Sequence, residues 1–208
     1  MPNLGARRNI PQNISKADGV CTFVKHAGTI RILAISGSLR RASSNSALVE
    51  AAARLAPGTV KISIYRGLAE LPAFNPDLDD DAPETVIRFR AALQACDAVL
   101  ISSPEYAHGV PGVVKNALDW VVRSGELIDK PIAIINASAR ATHAWASLAE
   151  TLRVMSARVI LDASITVSLD GKRIDANGFV EHAELSTELR RAIEALAAAA
   201  RDVLIVLQ

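Results

Sequence analysis

Five short runs of apolar or alternating residues recur along this chain, and a segment of helical length separates most of them. They are Ile30-Arg31-Ile32-Leu33-Ala34-Ile35, Val60-Lys61-Ile62-Ser63-Ile64, Ala98-Val99-Leu100-Ile101, Pro131-Ile132-Ala133-Ile134-Ile135 and Arg158-Val159-Ile160-Leu161. The spacing predicts helices over 46–55, about 84–95, 112–122 and 145–155, and a terminal helix over about 186–204. The Pro- and Asp-rich residues 71–83 read as loop. Strands that are apolar along their length and joined by helices form a parallel sheet covered on both faces, an α/β architecture. Such sheets bind ligands beyond the carboxyl ends of their strands, where strand order reverses. The loops after the first, third and fourth strands are therefore where a site is expected. Residues 1–29 lack this periodicity and read as a disordered or loosely docked extension; residues 30–208 read as one domain.

The first of these loops is Ser36-Gly37-Ser38-Leu39-Arg40-Arg41-Ala42-Ser43-Ser44-Asn45, and it opens a helix. A helix N-terminus offers unpaired N–H groups and the positive end of a dipole, which attract phosphate. Ser38, Ser43 and Ser44 add hydroxyls, Asn45 an amide and Arg40 a charge. The glycines of a dinucleotide G-x-G-x-x-G loop and of a Walker loop are missing, so the loop points to a mononucleotide whose phosphate ends the molecule. The bland alternative is a Ser- and Asn-rich cap that satisfies only its own helix.

The loop after the third strand reads Ser102-Ser103-Pro104-Glu105-Tyr106-Ala107-His108-Gly109-Val110-Pro111-Gly112, followed by Val113-Val114-Lys115-Asn116-Ala117-Leu118-Asp119-Trp120. Its prolines and glycines make a stiff, open loop whose backbone can read the edge of a flat heterocycle. Pro111 stands just before the helix, where its missing N–H matters little.

Together the two loops resemble the NAD(P)H-dependent FMN reductase family, which includes quinone, chromate and azo-dye reductases. The family's G-S-x-R-x-x-S-x-N is matched by Gly37, Ser38, Arg40, Ser43 and Asn45. Its P-E-Y-N is matched by Pro104, Glu105 and Tyr106, and its P-G-x-L-K-N-A-x-D-W by Pro111-Gly112, Lys115-Asn116-Ala117 and Asp119-Trp120. The resemblance covers about residues 30–205. It implies a flavodoxin-like doubly wound sheet of five parallel strands in the order 2-1-3-4-5, with FMN as cofactor and NADPH or NADH as co-substrate. It further implies a second, small-molecule acceptor such as free flavin, a quinone, an azo compound or a metal oxyanion. Ser38, Arg40, Ser43 and Asn45 would then contact the phosphate. Pro104, Glu105, Tyr106 and the backbone of Ala107 would hold the ring, with Ser138 on the other flank. No side chain need act as a nucleophile or other catalytic group, and the resemblance implies a homodimer or homotetramer. There are departures: Ala107 replaces the usual Asn, Gly109 stands where Ser is common and Val114 replaces Leu. The loop after strand four, Asn136 to His143, lacks the usual glycines and adds Arg140 and His143.

Other chemistries fit less well. Four histidines show no ligand spacing for a metal, and the Asp77/Asp79/Asp80/Asp81 run lacks the Gly and distal Glu of an EF-hand loop. No G-x-S-x-G elbow is present. A formal net charge of +1 points to no nucleic-acid partner. It also weighs against an acidic, flavodoxin-like electron carrier, the alternative beside a non-catalytic flavin-binding redox-sensing module. Cys21 and Cys96 form no disulfide framework, Cys96 reads as a core thiol, and no stretch approaches the ~18 apolar residues of a membrane span, which together predict a cytoplasmic protein. Lys115 and Asp119 are placed to pair along one helix face, and Trp120 reads as core or interface.

Overall fold

The computed structural model describes residues 28–169 and 174–206. At its centre is β1 (Ile30–Ser36), flanked on one side by β2 (Val60–Tyr65) and on the other by β3 (Ala98–Ser102), then β4 (Pro131–Ile135) and β5 (Arg158–Val159). All four pairings are parallel, and the order is 2-1-3-4-5. The register sets Ile32 beside Ile62 and Ala98, so strand alternation sends successive residues to opposite faces.

That alternation builds two cores. Ile30, Ile32 and Ala34 of β1, Leu100 of β3 and Ile135 of β4 face α1 (Ser44–Leu55) and the terminal helix. Leu33, Ile35, Val99, Ile101, Ile132 and Ile134 face α2 (Glu84–Gln94), α3 (Gly112–Asp119) and α4 (Thr142–Val154). A strand buried on both faces has no polar side to show, which is why these runs read as apolar throughout. No helix among the described residues is long and apolar enough to cross a membrane.

Four local differences from the sequence reading have physical causes. α3 stops at Asp119 rather than continuing to 122: the Val121 and Val122 N–H groups donate to carbonyls three residues back, those of Leu118 and Asp119, and the Trp120 carbonyl accepts two hydrogen bonds from the Arg90 guanidinium, at 3.1 and 2.7 Å. β5 is two residues long rather than four. The chain enters a 3₁₀ turn at 161–163, and Ser164 Oγ accepts the Ile134 N–H at 3.0 Å, so a side chain replaces the missing ladder bond. α4 begins at Thr142, ahead of Trp145. An unexpected short helix, α5 (Ala176–Glu181), is capped by Asp175, which accepts the Gly178 N–H at 2.8 Å; it precedes α6 (Ala183–Val206). The expected extension over 1–29 falls, through residue 27, outside the described residues.

Candidate functional site

The loop after β1 is pressed against the start of the loop after β3. The Gly37 N–H donates to the Ser102 carbonyl at 2.7 Å. A Cβ on Gly37 would lie 2.6 Å from Val114 Cγ2 and 3.2 Å from Ser103 Oγ, so only glycine allows this approach. Ser38 is buried; its hydroxyl accepts the Arg40 N–H at 3.4 Å. Ser43 is the N-cap of α1, its hydroxyl accepting from the Ser46 N–H at 3.4 Å. Asn45 is buried too, and its side-chain carbonyl accepts the Ser102 hydroxyl at 2.9 Å. Ser36 and Ser46 hydroxyls bond to each other at 2.9 Å. Three residues expected at a phosphate thus carry structural bonds as well: the Ser38 hydroxyl holds the Arg40 N–H, Ser43 caps its helix and the Asn45 side chain ties α1 to β3. What remains open is a donor set. The N–H groups of Ser44 and Asn45 have no partner among the described residues, and the exposed Arg40 makes no ion pair among them.

The loop after β3 reaches in the other direction, to α4. Ala141, the N-cap of α4, has no side chain that can cap. Glu105 supplies the bond from a distant part of the chain, its Oε2 accepting the Ala144 N–H at 2.8 Å. Glu105 therefore fastens the second loop to the third. Beyond it, Tyr106 and Gly109 exchange two backbone hydrogen bonds, at 3.1 and 2.9 Å, around Ala107 and His108, whose φ angles are +49° and +58°. Two central residues at positive φ inside such a bonded pair make a type I′ turn, which favours Asn-Gly. The family's Asn at the position of Ala107 suits that backbone, and the alanine here does not. His108 stacks on His143 of α4, with ring centroids 4.3 Å apart and planes 8° apart. Pro104 is half-buried and Tyr106 exposed.

The loop after β4 is organised by Asn136, a buried residue that the sequence reading passed over although it directly follows the strand. Its side-chain carbonyl accepts the Ser138 N–H at 3.0 Å, and its amide donates to the Ala141 carbonyl at 3.2 Å. Ser138 is half-buried, and its hydroxyl accepts the Arg140 N–H at 3.4 Å.

The rest of the matched pattern is scaffold. Asn116 and Trp120 clamp residues 72–74: the Asn116 amide and the Trp120 indole N–H both donate to the Pro72 carbonyl, at 2.9 and 2.8 Å, and Asn116 Oδ1 accepts the Phe74 N–H at 2.8 Å. The Phe74 ring meets Trp120 edge-on, centroids 5.0 Å apart. Lys115 pairs with Asp119 along the helix. The acidic run is held by cations, Asp79 by Arg90 and Arg123, and Asp80 by Arg123. Of the displaced pKa values beside the sheet, burial raises that of the Tyr65 hydroxyl at the carboxyl end of β2, and the others lie at the amino end. Burial pushes the Cys96 thiol up, despite the nearby Lys130 charge. Burial alone would also raise Asp97, but hydrogen bonds from the Arg31 guanidinium and N–H, and its charge, outweigh burial and hold the carboxyl below its ordinary value.

Three loops thus converge on the carboxyl edge of β1, β3 and β4. Residues 30–171 match the NADPH-dependent FMN reductase family. A 2-hydroxy-1,4-benzoquinone reductase from Burkholderia sp is 34% identical over 179 residues, 83% of this chain and 97% of the relative. An NAD(P)H-dependent FMN reductase of Pseudomonas aeruginosa is 36% identical over 155 residues, 72% of this chain and 83% of the relative. Among solved structures, a flavoenzyme NAD(P)H:(acceptor) oxidoreductase from Paracoccus denitrificans superposes with a TM-score of 0.68 at 28% identity, covering 83% of this chain and 98% of that one.

Proposed function

This chain belongs to the NADPH-dependent FMN reductase family and is an NAD(P)H-dependent oxidoreductase with FMN as cofactor; we propose that its acceptor is a quinone and that the three loops hold the flavin. The quinone assignment draws on the benzoquinone reductase among the relatives, which this chain matches over nearly its whole length. When bound, FMN supplies a hydride relay: NAD(P)H, one proton and one quinone give NAD(P)⁺ and one hydroquinone.

The observation that carries the binding assignment is the donor set left open at the start of α1. A terminal phosphate needs several donors and compensating charge. Ser38, Arg40, Ser43 and the N–H groups of Ser44 and Asn45 supply them. In this reading the Asn45 side chain positions that N-terminus through Ser102 while its N–H does the binding. Pro104, Tyr106 and the backbone of Ala107 hold the ring edge, with Ser138 on the other flank. Glu105 is a positioning residue, keeping the second and third loops at a fixed separation through Ala144.

The test is a titration of the apoprotein with FMN, FAD and riboflavin. FMN binds most tightly, and Arg40→Ala combined with Ser43→Ala weakens FMN by about 2 kcal/mol while leaving riboflavin nearly untouched. Equal affinity for FMN and riboflavin would sink the phosphate assignment.

Assembly and location belong to the same proposal. Val122, Ile128 and Val154 are 58%, 59% and 69% exposed around a groove of about 430 Å³ that Lys115, Asp119 and Glu150 also line. Apolar side chains flanked by both signs of charge suit a twofold contact with a second copy. The chain works as a homodimer, or a tetramer built from it, in the cytoplasm, with residues 30–208 as the flavin domain and 1–29 dispensable for turnover. Light scattering of Val154→Glu tests the contact: a monomer is expected, and unchanged mass places the interface elsewhere.

A further inference from the structure

Three side chains at the rim of the site are left without a role. His108 stands at the tip of the second loop with φ +58°, and its ring lies flat against His143 in the first turn of α4. Arg140, three residues before His143, is exposed and makes no ion pair among the described residues. The second and third loops carry a single carboxylate, Glu105, and it is committed to the Ala144 N–H. The rim therefore offers one guanidinium without an ion-pair partner among the described residues, beside two stacked imidazoles. A turn built for structure alone would place Asn-Gly at Ala107 and His108. Holding a histidine there, at a cost in backbone strain, keeps a flat ring and its nitrogens at the mouth of the site.

We propose that Arg140, His143 and His108 form the docking edge for a planar, negatively charged acceptor, a ring-hydroxylated quinone in its anionic form, and set the preference for it over neutral quinones. This rests on the quinone reading above. The guanidinium pairs with the anionic ring oxygen, and the stacked imidazoles give the ring a flat, polar-edged neighbour. In the reaction the acceptor gains one hydride, which brings two electrons, and one proton from solvent, and leaves as the hydroquinone.

The test uses FMN-loaded enzyme reduced anaerobically with one equivalent of NADPH. It is then mixed in a stopped-flow instrument with hydroxynaphthoquinone, an anion at neutral pH, or with unsubstituted naphthoquinone. The readout is the ratio of the two reoxidation rate constants, which folding and flavin content leave unchanged. Arg140→Gln lowers that ratio about tenfold, the size of a local electrostatic effect on encounter. His143→Phe keeps a stacked ring but loses its nitrogens, and lowers the ratio in the same direction. An unchanged ratio in both variants, or equal slowing of both quinones, overturns the proposal. Failure of the wild-type reduced enzyme to pass electrons to either quinone would overturn the quinone reading itself, and this inference with it.

Discussion

Replacing Ala107 by Asn should stabilise the protein. Ala107 and His108 occupy the two central positions of the 106–109 turn at φ +49° and +58°. An L-residue there is disfavoured by about 1–2 kcal/mol, and Asn recovers part of this by bonding locally to the backbone. Ala107→Asn should therefore add about 0.5–1 kcal/mol. Ala107→Gly removes the same strain but gives the unfolded chain more freedom, worth about 0.4–1 kcal/mol, so its net effect is near zero or slightly positive. Ala107→Val crowds a branched Cβ into the same backbone and should destabilise by about 1 kcal/mol or more. At this chain length, 1 kcal/mol moves Tm by about 2–4 °C. Urea and thermal unfolding of the apoproteins gives the order Asn, Gly, Ala, Val from most to least stable. The turn is exposed, so lost packing does not confuse the series. A neutral Val variant, or an Asn variant less stable than the parent, would refute the strain argument.

Three further outcomes follow from other contacts. Gly37→Ala drives a methyl against Val114 and Ser103, which are fixed in α3 and at the end of β3; it should cost about 1–3 kcal/mol in urea unfolding and weaken FMN as well, whereas a silent variant would mean the loops are not packed as described. Asn116→Ala removes two hydrogen bonds to residues 72–74, and Trp120→Phe one; losses of about 2 and 1 kcal/mol are expected, and hydrogen exchange should rise at Phe74 in the Asn116 variant. Asp97 has its folded pKa lowered, so its contribution is present above the unfolded value of about 4 and is lost as pH falls through the folded value. Arg31 is 57% exposed, which limits the contribution to about 0.5–1 kcal/mol; Asp97→Asn should lower stability at neutral pH, and the gap should close in acid.

The sheet was legible because β1, β3 and β4 are buried on both faces and, Arg31 apart, carry apolar residues along nearly their whole length, while the edge strand β2 shows its alternation. Helix ends and loop roles were less so. The N-terminus of α4 carries no capping side chain of its own, and its cap comes from Glu105, 39 residues earlier. The carbonyl of Trp120, just past the end of α3, is satisfied by Arg90, 30 residues earlier. Asp175 did carry a local capping signal for α5, with Gly178 three residues on. The G-S-x-R-x-x-S-x-N pattern located the first loop correctly but gave no sign that Asn45 also ties α1 to β3. The His108–His143 stack joins two loops through the fold and has no counterpart in sequence spacing.

The central claim is that this protein carries reducing equivalents from NAD(P)H through FMN. Anaerobic stopped-flow mixing of the FMN-loaded protein with NADH or NADPH tests it most directly. The account predicts complete bleaching of the oxidised flavin within the turnover time, and full recovery of colour when a quinone is added. A flavin that stays oxidised with both nicotinamides, or bleaches only with a separate reductase present, would contradict it.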